Sequence, residues 1–212
     1  MAKKDNCKLY RSFYEIIHPS ISRKNISEYK IVFKEDIIPV QVFYPKKEIA
    51  LDNIMIYIPG NNAYNGYYEN MAIETNQVII LLDKIIDEDN VYFNTIDYII
   101  TEAKECGIEL NNITIISDFK GIDNIIRIKN DLSNKKYNKI RKILLSPNSN
   151  DLEEYDLKNT LVLSNNEELT ENNKVNSLII KESIYDFVSD INSVTNEGIY
   201  LKINDFIENE EV

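Results

Sequence analysis

The chain has 212 residues, of which 43% are hydrophobic, and it carries a formal net charge of -11 at pH 7. This length is sufficient for a substantial buried core, and no Pro-, Gly- or Ser-rich linker divides it. So acidic a chain excludes the basic surface that nucleic acids and anionic membranes require.

The first part of the chain predicts a short lead-in followed by a β-hairpin. Aromatic residues and isoleucines at 10–17, stopped by Pro19, are typical of a short helix. Two β-branched and aromatic runs at 29–33 and 37–44 then predict an antiparallel pair of strands. We therefore divide the chain into an N-terminal lead-in at 1–28 and one domain at 29–212.

After the hairpin, apolar runs alternate with helical patterns. A nearly continuous apolar run is the mark of a strand buried on both faces, whereas recurrence every three or four residues indicates a helix. Gly107 follows the second helical pattern as a C-cap. In chain order, these patterns predict strands at 53–58, 78–82, 113–116, 140–145, 161–163 and 178–180, and helices at 67–75, 94–106, 122–132 and 200–207.

This order of elements predicts the α/β class. We expect a mostly parallel sheet with antiparallel strands at its N-terminal edge, helices on both faces and no cap domain. No apolar run reaches the roughly 20 residues that span a bilayer, and the N-terminus lacks the apolar segment of a secretory signal. We therefore expect a cytoplasmic protein without a membrane span. Cys7 and Cys106 do not have metal-site or redox-motif spacing.

Several short phrases carry a resemblance to a known family. Ile54 to Gly60 reads as a buried strand leading into a loop, Asn112 to Gly121 as a strand followed by a tight turn, and Ile143 to Pro147 as the next strand. In this order they resemble the α/β-hydrolase superfamily of esterases and lipases, over roughly residues 37–207. The resemblance implies an oxyanion loop after residue 58 and a nucleophile in the turn before Gly121.

The residues at the implied catalytic positions are not those of a hydrolase. The family's Gly-x-Ser-x-Gly turn reads Ser117-Asp118-Phe119-Lys120-Gly121, so Phe119 takes the serine position. By the same resemblance Glu168 lies near the acid position and Tyr185 at the histidine position. His18, the one histidine, precedes the whole predicted sheet, and a serine hydrolase needs an imidazole as its base.

Two rearranged sites remain open as alternatives. Ser117 could act as a displaced nucleophile with Lys120 as base, because a desolvated lysine can accept a proton. Asp118 could occupy the nucleophile position as in haloalkane dehalogenases. That second alternative lacks both the tryptophan and the late histidine such enzymes use, since the chain contains no tryptophan.

A loop rich in tyrosine and asparagine follows the strand at 53–58. Aromatic faces beside amide groups suit a sugar or a protein partner, and ligands of open parallel sheets bind at the carboxyl ends of the strands. The competing interpretation is that the tyrosines pack the helix that follows. The candidate binding residues are Asn61, Asn62, Tyr64, Tyr67 and, at the end of the neighbouring strand, Asp118.

Taken together, the sequence predicts a catalytically inactive hydrolase-like binding or accessory protein without a cofactor or metal ion. Its expected partner is a protein, or else a glycan or small ligand. A short stretch, residues 59–71, also resembles hydrolase-like proteins of accessory secretion and capsule biosynthesis, which implies a role beside glycan assembly or export. The competing hypotheses are an esterase or acyltransferase using Ser117, Lys120 and Glu168, and a small-molecule sensor.

Overall fold

The protein is described from a computed structural model. It covers residues 26–33, 36–45, 53–60, 65–82, 89–105, 107–118, 121–122, 125, 139–147, 159–164, 177–179 and 194–208. Within these residues, eight strands form one sheet in the order β1-β2-β4-β3-β5-β6-β7-β8. The strands are β1 (Ile26–Phe33), β2 (Asp36–Phe43), β3 (Ile54–Ile58), β4 (Val78–Leu82), β5 (Ile113–Asp118), β6 (Arg141–Leu145), β7 (Thr160–Ser164) and β8 (Ser177–Ile179).

The strand directions confirm the predicted sheet. β1 pairs with β2, and β2 with β4, in antiparallel orientation. All other neighbouring pairs, from β4 through β3 and β5 to β8, are parallel. Parallel strands place their carboxyl ends at one edge, and the order reverses at β3, which lies between β4 and β5. In open parallel sheets, such a reversal forms a crevice at that edge in which ligands bind.

Helices cover both faces of the sheet. They are α1 (Asn65–Glu74), α2 (Asp89–Glu105) and α3 (Val194–Glu208). In β3, alternate residues belong to opposite cores: Ile56 packs in the cluster that includes α2, and Tyr57 in the cluster that includes α1 and α3. Burial on both faces explains the continuous apolar runs of the sequence. Every helix in the described part of the chain is too short or too polar to cross a bilayer.

Several element boundaries differ from the prediction. Helix α2 begins at Asp89 rather than 94, and α3 at Val194 rather than 200. Helix α1 includes Asn65 and Gly66, which the sequence had placed in a loop. The first turns of α2 and α3 mix polar residues with Val91, Tyr92 and Val194, so they lack the regular apolar spacing that indicates a helix. The helices predicted at 10–17 and 122–132 lie outside the described residues, except for a helical start at 121, 122 and 125.

Two helices end in the same left-handed motif. After α2, Gly107 has φ 91°, and the amides of Gly107 and Ile108 donate to the carbonyls of Lys104 and Ala103. This is the Schellman arrangement, and it confirms the predicted glycine C-cap. After α1, Asn76 with φ 53° takes the same place, because asparagine tolerates this backbone region better than most residues.

Gly107, after the end of α2, and Gly198, inside α3, should respond oppositely to alanine. Gly107→Ala should lower the free energy of unfolding by about 1 kcal/mol, since a β-carbon is strained at this φ. Gly198→Ala, inside α3 with open space around an added β-carbon, should raise it by about 0.5–1 kcal/mol. Urea denaturation of both variants measures the difference. Equal effects of the same sign would contradict this account of the cap.

Candidate functional site

The candidate site lies where β3 and β5 end side by side. Their register pairs Ile58 with Ser117, so Pro59 and Gly60, directly after β3, lie beside the end of β5. The sequence had placed Ser117 and Asp118 in the turn itself. The structure corrects this: both residues belong to β5, because their backbones continue the ladders to β3 and β6.

Ser117 is fully buried, and its hydroxyl is engaged. Its Oγ donates a hydrogen bond of 2.6 Å to the carbonyl oxygen of Ile58, and none of its surface is exposed to solvent. A nucleophilic serine must instead present its oxygen to substrate and give its proton to a base. In this geometry Ser117 joins two strands.

Asp118 is also buried, with 1% of its surface exposed. Its Oδ2 accepts a hydrogen bond of 3.0 Å from the Tyr57 hydroxyl, and its Oδ1 accepts one from the Gly60 amide. Both donors come from the end of β3 or the residues directly after it. A carboxylate so far from water requires such partners, because an unpaired buried charge is very costly.

The Tyr57 hydroxyl is held by a cluster of aromatic rings under this edge of the sheet. Tyr57 makes edge-on contacts with Tyr68 and Tyr67, with ring centroids 4.8 and 6.1 Å away. Burial, followed by the nearby Asp118 charge, holds the pKa of Tyr57 well above its usual value of 10. Tyr57 therefore stays protonated and remains a hydrogen-bond donor at neutral pH.

Tyr67 belongs to the same cluster and is 1% exposed. It packs α1 onto the sheet, as the packing interpretation of the tyrosine-rich loop predicts. Burial is also the main cause that raises the pKa of Tyr67 well above 10. A ligand bound outside the protein does not reach this ring in the described geometry.

Gly121 begins the helix after the turn and touches the opposite loop directly. An added β-carbon would lie 2.6 Å from the Ile58 carbonyl oxygen and 2.9 Å from the Gly60 nitrogen, and it would also overlap the Ser117 hydroxyl. Only glycine fits this approach without a shift. The one glycine of the family's turn pattern that this sequence retains is thus explained by packing.

The neighbouring strands end in serines at the same edge. Leu145 of β6 pairs with Asp118, and Ser146, directly after it, has φ 56° and donates its amide to the Leu163 carbonyl at 2.8 Å. Ser164 closes β7 and is buried. Short polar residues thus lie at or directly after the carboxyl ends of β5, β6 and β7, and Ser146 is held there by its backbone amide.

The structure brings together only part of the predicted site. Ser117, Asp118 and Tyr67 lie near one another, and Tyr57 and Gly60 join them. The resemblance places Gly60 only at the implied oxyanion loop, and the sequence predicts no role for Tyr57. The available signal was a tyrosine inside a strand buried on both faces, because a buried Tyr hydroxyl normally needs a partner. The other candidates lie outside the described residues: Asn61, Asn62, Tyr64, Phe119, Lys120, Glu168 and Tyr185.

Acidic side chains offer no metal site in the part of the chain that the structure describes. There, no three His, Cys, Asp or Glu side chains are grouped so that they could hold an ion. The Asp118 oxygens instead accept hydrogen bonds from a tyrosine hydroxyl and a backbone amide.

The sheet order and the two helical layers define the α/β-hydrolase fold. No protein-family model matches the chain, and no curated protein matches its sequence. Solved structures do match its fold. The chain is therefore placed by its three-dimensional architecture.

Three of these structures, two of them esterases, illustrate the match. The Francisella virulence factor BioJ is 16% identical, with a TM-score of 0.61 over 98% of this chain and 92% of its own. An arylesterase is 13% identical, with a TM-score of 0.62 over 98% and 90%. An esterase of Pyrobaculum calidifontis is 11% identical, with a TM-score of 0.60 over 97% and 92%. Identities this low establish the fold alone.

Replacing Gly121 tests the close contact between the two loops. Gly121→Ala should lower the free energy of unfolding by about 1–3 kcal/mol, because the β-carbon forces backbone atoms apart. Gly198→Ala is the matched control, since there the same methyl group meets nothing. Urea denaturation compares the two. A Gly121→Ala protein as stable as the wild type would show that the loops do not pack this closely.

The buried tyrosines predict a loss of stability at alkaline pH. An unfolded tyrosine titrates near pH 10, whereas Tyr57 and Tyr67 keep their protons to higher pH in the folded state. Above about pH 10 the unfolded chain therefore binds fewer protons. The free energy of unfolding should then fall by up to about 1.4 kcal/mol per pH unit for each such tyrosine.

Urea denaturation between pH 8 and 11 measures this slope. Tyr67→Phe removes one titrating group, so its stability should fall less steeply above pH 10 than that of the wild type. Below pH 9 the two slopes should agree. Parallel slopes above pH 10 would contradict the raised pKa of Tyr67.

Proposed function

We propose that this chain is a hydrolase-fold protein that binds a partner rather than hydrolysing an ester. The observation that carries the proposal is the state of Ser117. The displaced-nucleophile alternative depends on this hydroxyl, which is fully buried and bonded to the Ile58 carbonyl. Attack on a substrate would require this hydroxyl to give up its bond to the Ile58 carbonyl and to become accessible.

The Asp118 carboxylate supports the same proposal. A hydrolase of this fold draws part of its oxyanion hole from an N–H of the loop after β3. Here the Gly60 amide of that loop donates to Asp118. This donor is engaged within the protein, and the carboxylate beside it would repel a developing oxyanion.

The sequence adds two chemical reasons. Phe119, at the position that the resemblance gives to the nucleophile, has no nucleophilic atom, and no histidine follows His18. Without a late imidazole, a serine in this fold has no ordinary base. The esterase neighbours do not oppose the proposal, because one fold hosts many functions and activity depends on the site.

The proposed role is that of an accessory or binding module in the cytoplasm. The resemblance of residues 59–71 to accessory secretion and capsule biosynthesis proteins favours a partner in glycan assembly or protein export. Asn61, Asn62 and Tyr64 are the proposed contact residues, since they follow β3 at the carboxyl edge of the sheet. No cofactor or metal ion is required.

Ester hydrolysis and covalent labelling test the absence of catalysis. The purified protein is assayed with short p-nitrophenyl esters and with a fluorophosphonate probe that labels activated serines. We expect wild type, Ser117→Ala and Lys120→Ala to match the blank and to remain unlabelled, because the described serine hydroxyl cannot reach a substrate.

Ser164→Ala is the matched control, since Ser164 is also a buried serine at the end of a strand. Turnover that disappears in folded Ser117→Ala but survives in Ser164→Ala would refute the proposal. It would establish an esterase or acyltransferase with a displaced nucleophile. Circular dichroism verifies that each variant is folded.

A further inference from the structure

The hydrogen bonds that Asp118 accepts resemble those that a protein donates to a bound carboxylate ligand. The carboxylate sits on β5, and two of its hydrogen-bond donors belong to β3 or the residues directly after it: the Tyr57 hydroxyl at 3.0 Å and the Gly60 amide. One oxygen receives each donor. Two donors aimed at the two oxygens of one carboxylate are the arrangement expected of a site for a small carboxylate anion.

The donors are positioned independently of Asp118. The Tyr57 ring is fixed by Tyr67 and Tyr68 of α1. Gly60 is fixed by its close approach to Gly121, where even one methyl group has no room. Ser117 adds a third tie through the Ile58 carbonyl. Removal of the Asp118 carboxylate should therefore leave both donors in place.

We propose that the Tyr57 hydroxyl and the Gly60 amide form a preorganised carboxylate site that the chain fills with its own Asp118, which latches the end of β5 to the loop after β3. The latch goes beyond the proposed function, because it concerns how the two loops are held and does not depend on whether an ester is hydrolysed.

The latch joins the two segments that a hydrolase of this fold uses to build its site. Asp118 immediately precedes the turn, and Gly60 opens the loop after β3. The buried carboxylate thus holds these two segments at a fixed distance from each other. In a variant that lacks this carboxylate, an external anion bound in its place should restore stability, although it is not covalently attached to β5.

Chemical rescue with formate tests the site. Asp118→Ala removes one carboxylate, and formate supplies one of the same size. Sodium formate should raise the thermal midpoint of Asp118→Ala in a saturable manner, above the effect of sodium chloride at equal ionic strength. Binding to the folded state alone produces such a shift.

Three controls separate binding from general salt effects. In the wild type and in Asp118→Asn the space is filled, so formate and chloride should act alike. Thr114→Ala opens space at a buried residue of the same strand without exposing the two donors, and it should not respond either. Equal action of formate and chloride on folded Asp118→Ala, or an equal formate response of Thr114→Ala, would overturn the proposal.

If Asp118→Ala does not fold, a double-mutant cycle tests the latch instead. Asp118→Asn and Tyr57→Phe are close in shape to the residues they replace. The latch predicts that the equilibrium constant for unfolding of the double mutant differs by at least about threefold from the value expected if the two single effects were independent. Additive effects would overturn it. Hydrolysis by the wild type would refute only the proposed function, whereas failed rescue and additivity would refute only the latch.

Discussion

The contact between the Asp118 carboxylate and the end of β3 is the constraint on which the candidate site depends. A buried carboxylate is tolerated only when its oxygens are satisfied, and here Tyr57 and Gly60 do so. Their geometry requires β3 and β5 to end at the same level and the following segments to touch. Gly121 is the residue that makes this contact sterically feasible. The polar ends of two apolar strands therefore become part of the core.

This packing occupies the edge of the sheet at which hydrolases of this fold place their catalytic groups. The sheet order and helical layers match those of esterases along nearly the whole chain. In those folds the edge beyond β3 and β5 is where a nucleophile and an oxyanion hole meet. In this chain, Ser117 and Asp118 at that edge are hydrogen-bonded to Ile58, Tyr57 and Gly60. The same architecture thus contains a closed junction at this edge, and the proposed binding role is argued from that junction.

Stability in this molecule rests on the two apolar layers that enclose the sheet. Ile56 and Tyr57 are neighbours in sequence but contribute to opposite cores, and both are fully buried. The tyrosine layer also supplies a polar atom at the depth of the sheet. That placement explains why a tyrosine is useful in β3: its ring fills the core, and its hydroxyl compensates Asp118.

The sequence by itself determined the fold class, the hairpin, the buried strands and the Gly107 cap, because these depend on local periodicity and backbone preference. It also determined that the chain's only histidine, His18, precedes the sheet. The sequence did not reveal helix starts such as Asp89, since the first turns lack the regular apolar spacing that indicates a helix. Only the tertiary structure decided the roles of Ser117, Asp118, Tyr57 and Gly60. Their partners are about 60 residues apart in sequence, and strand register, which long-range packing sets, brings them together.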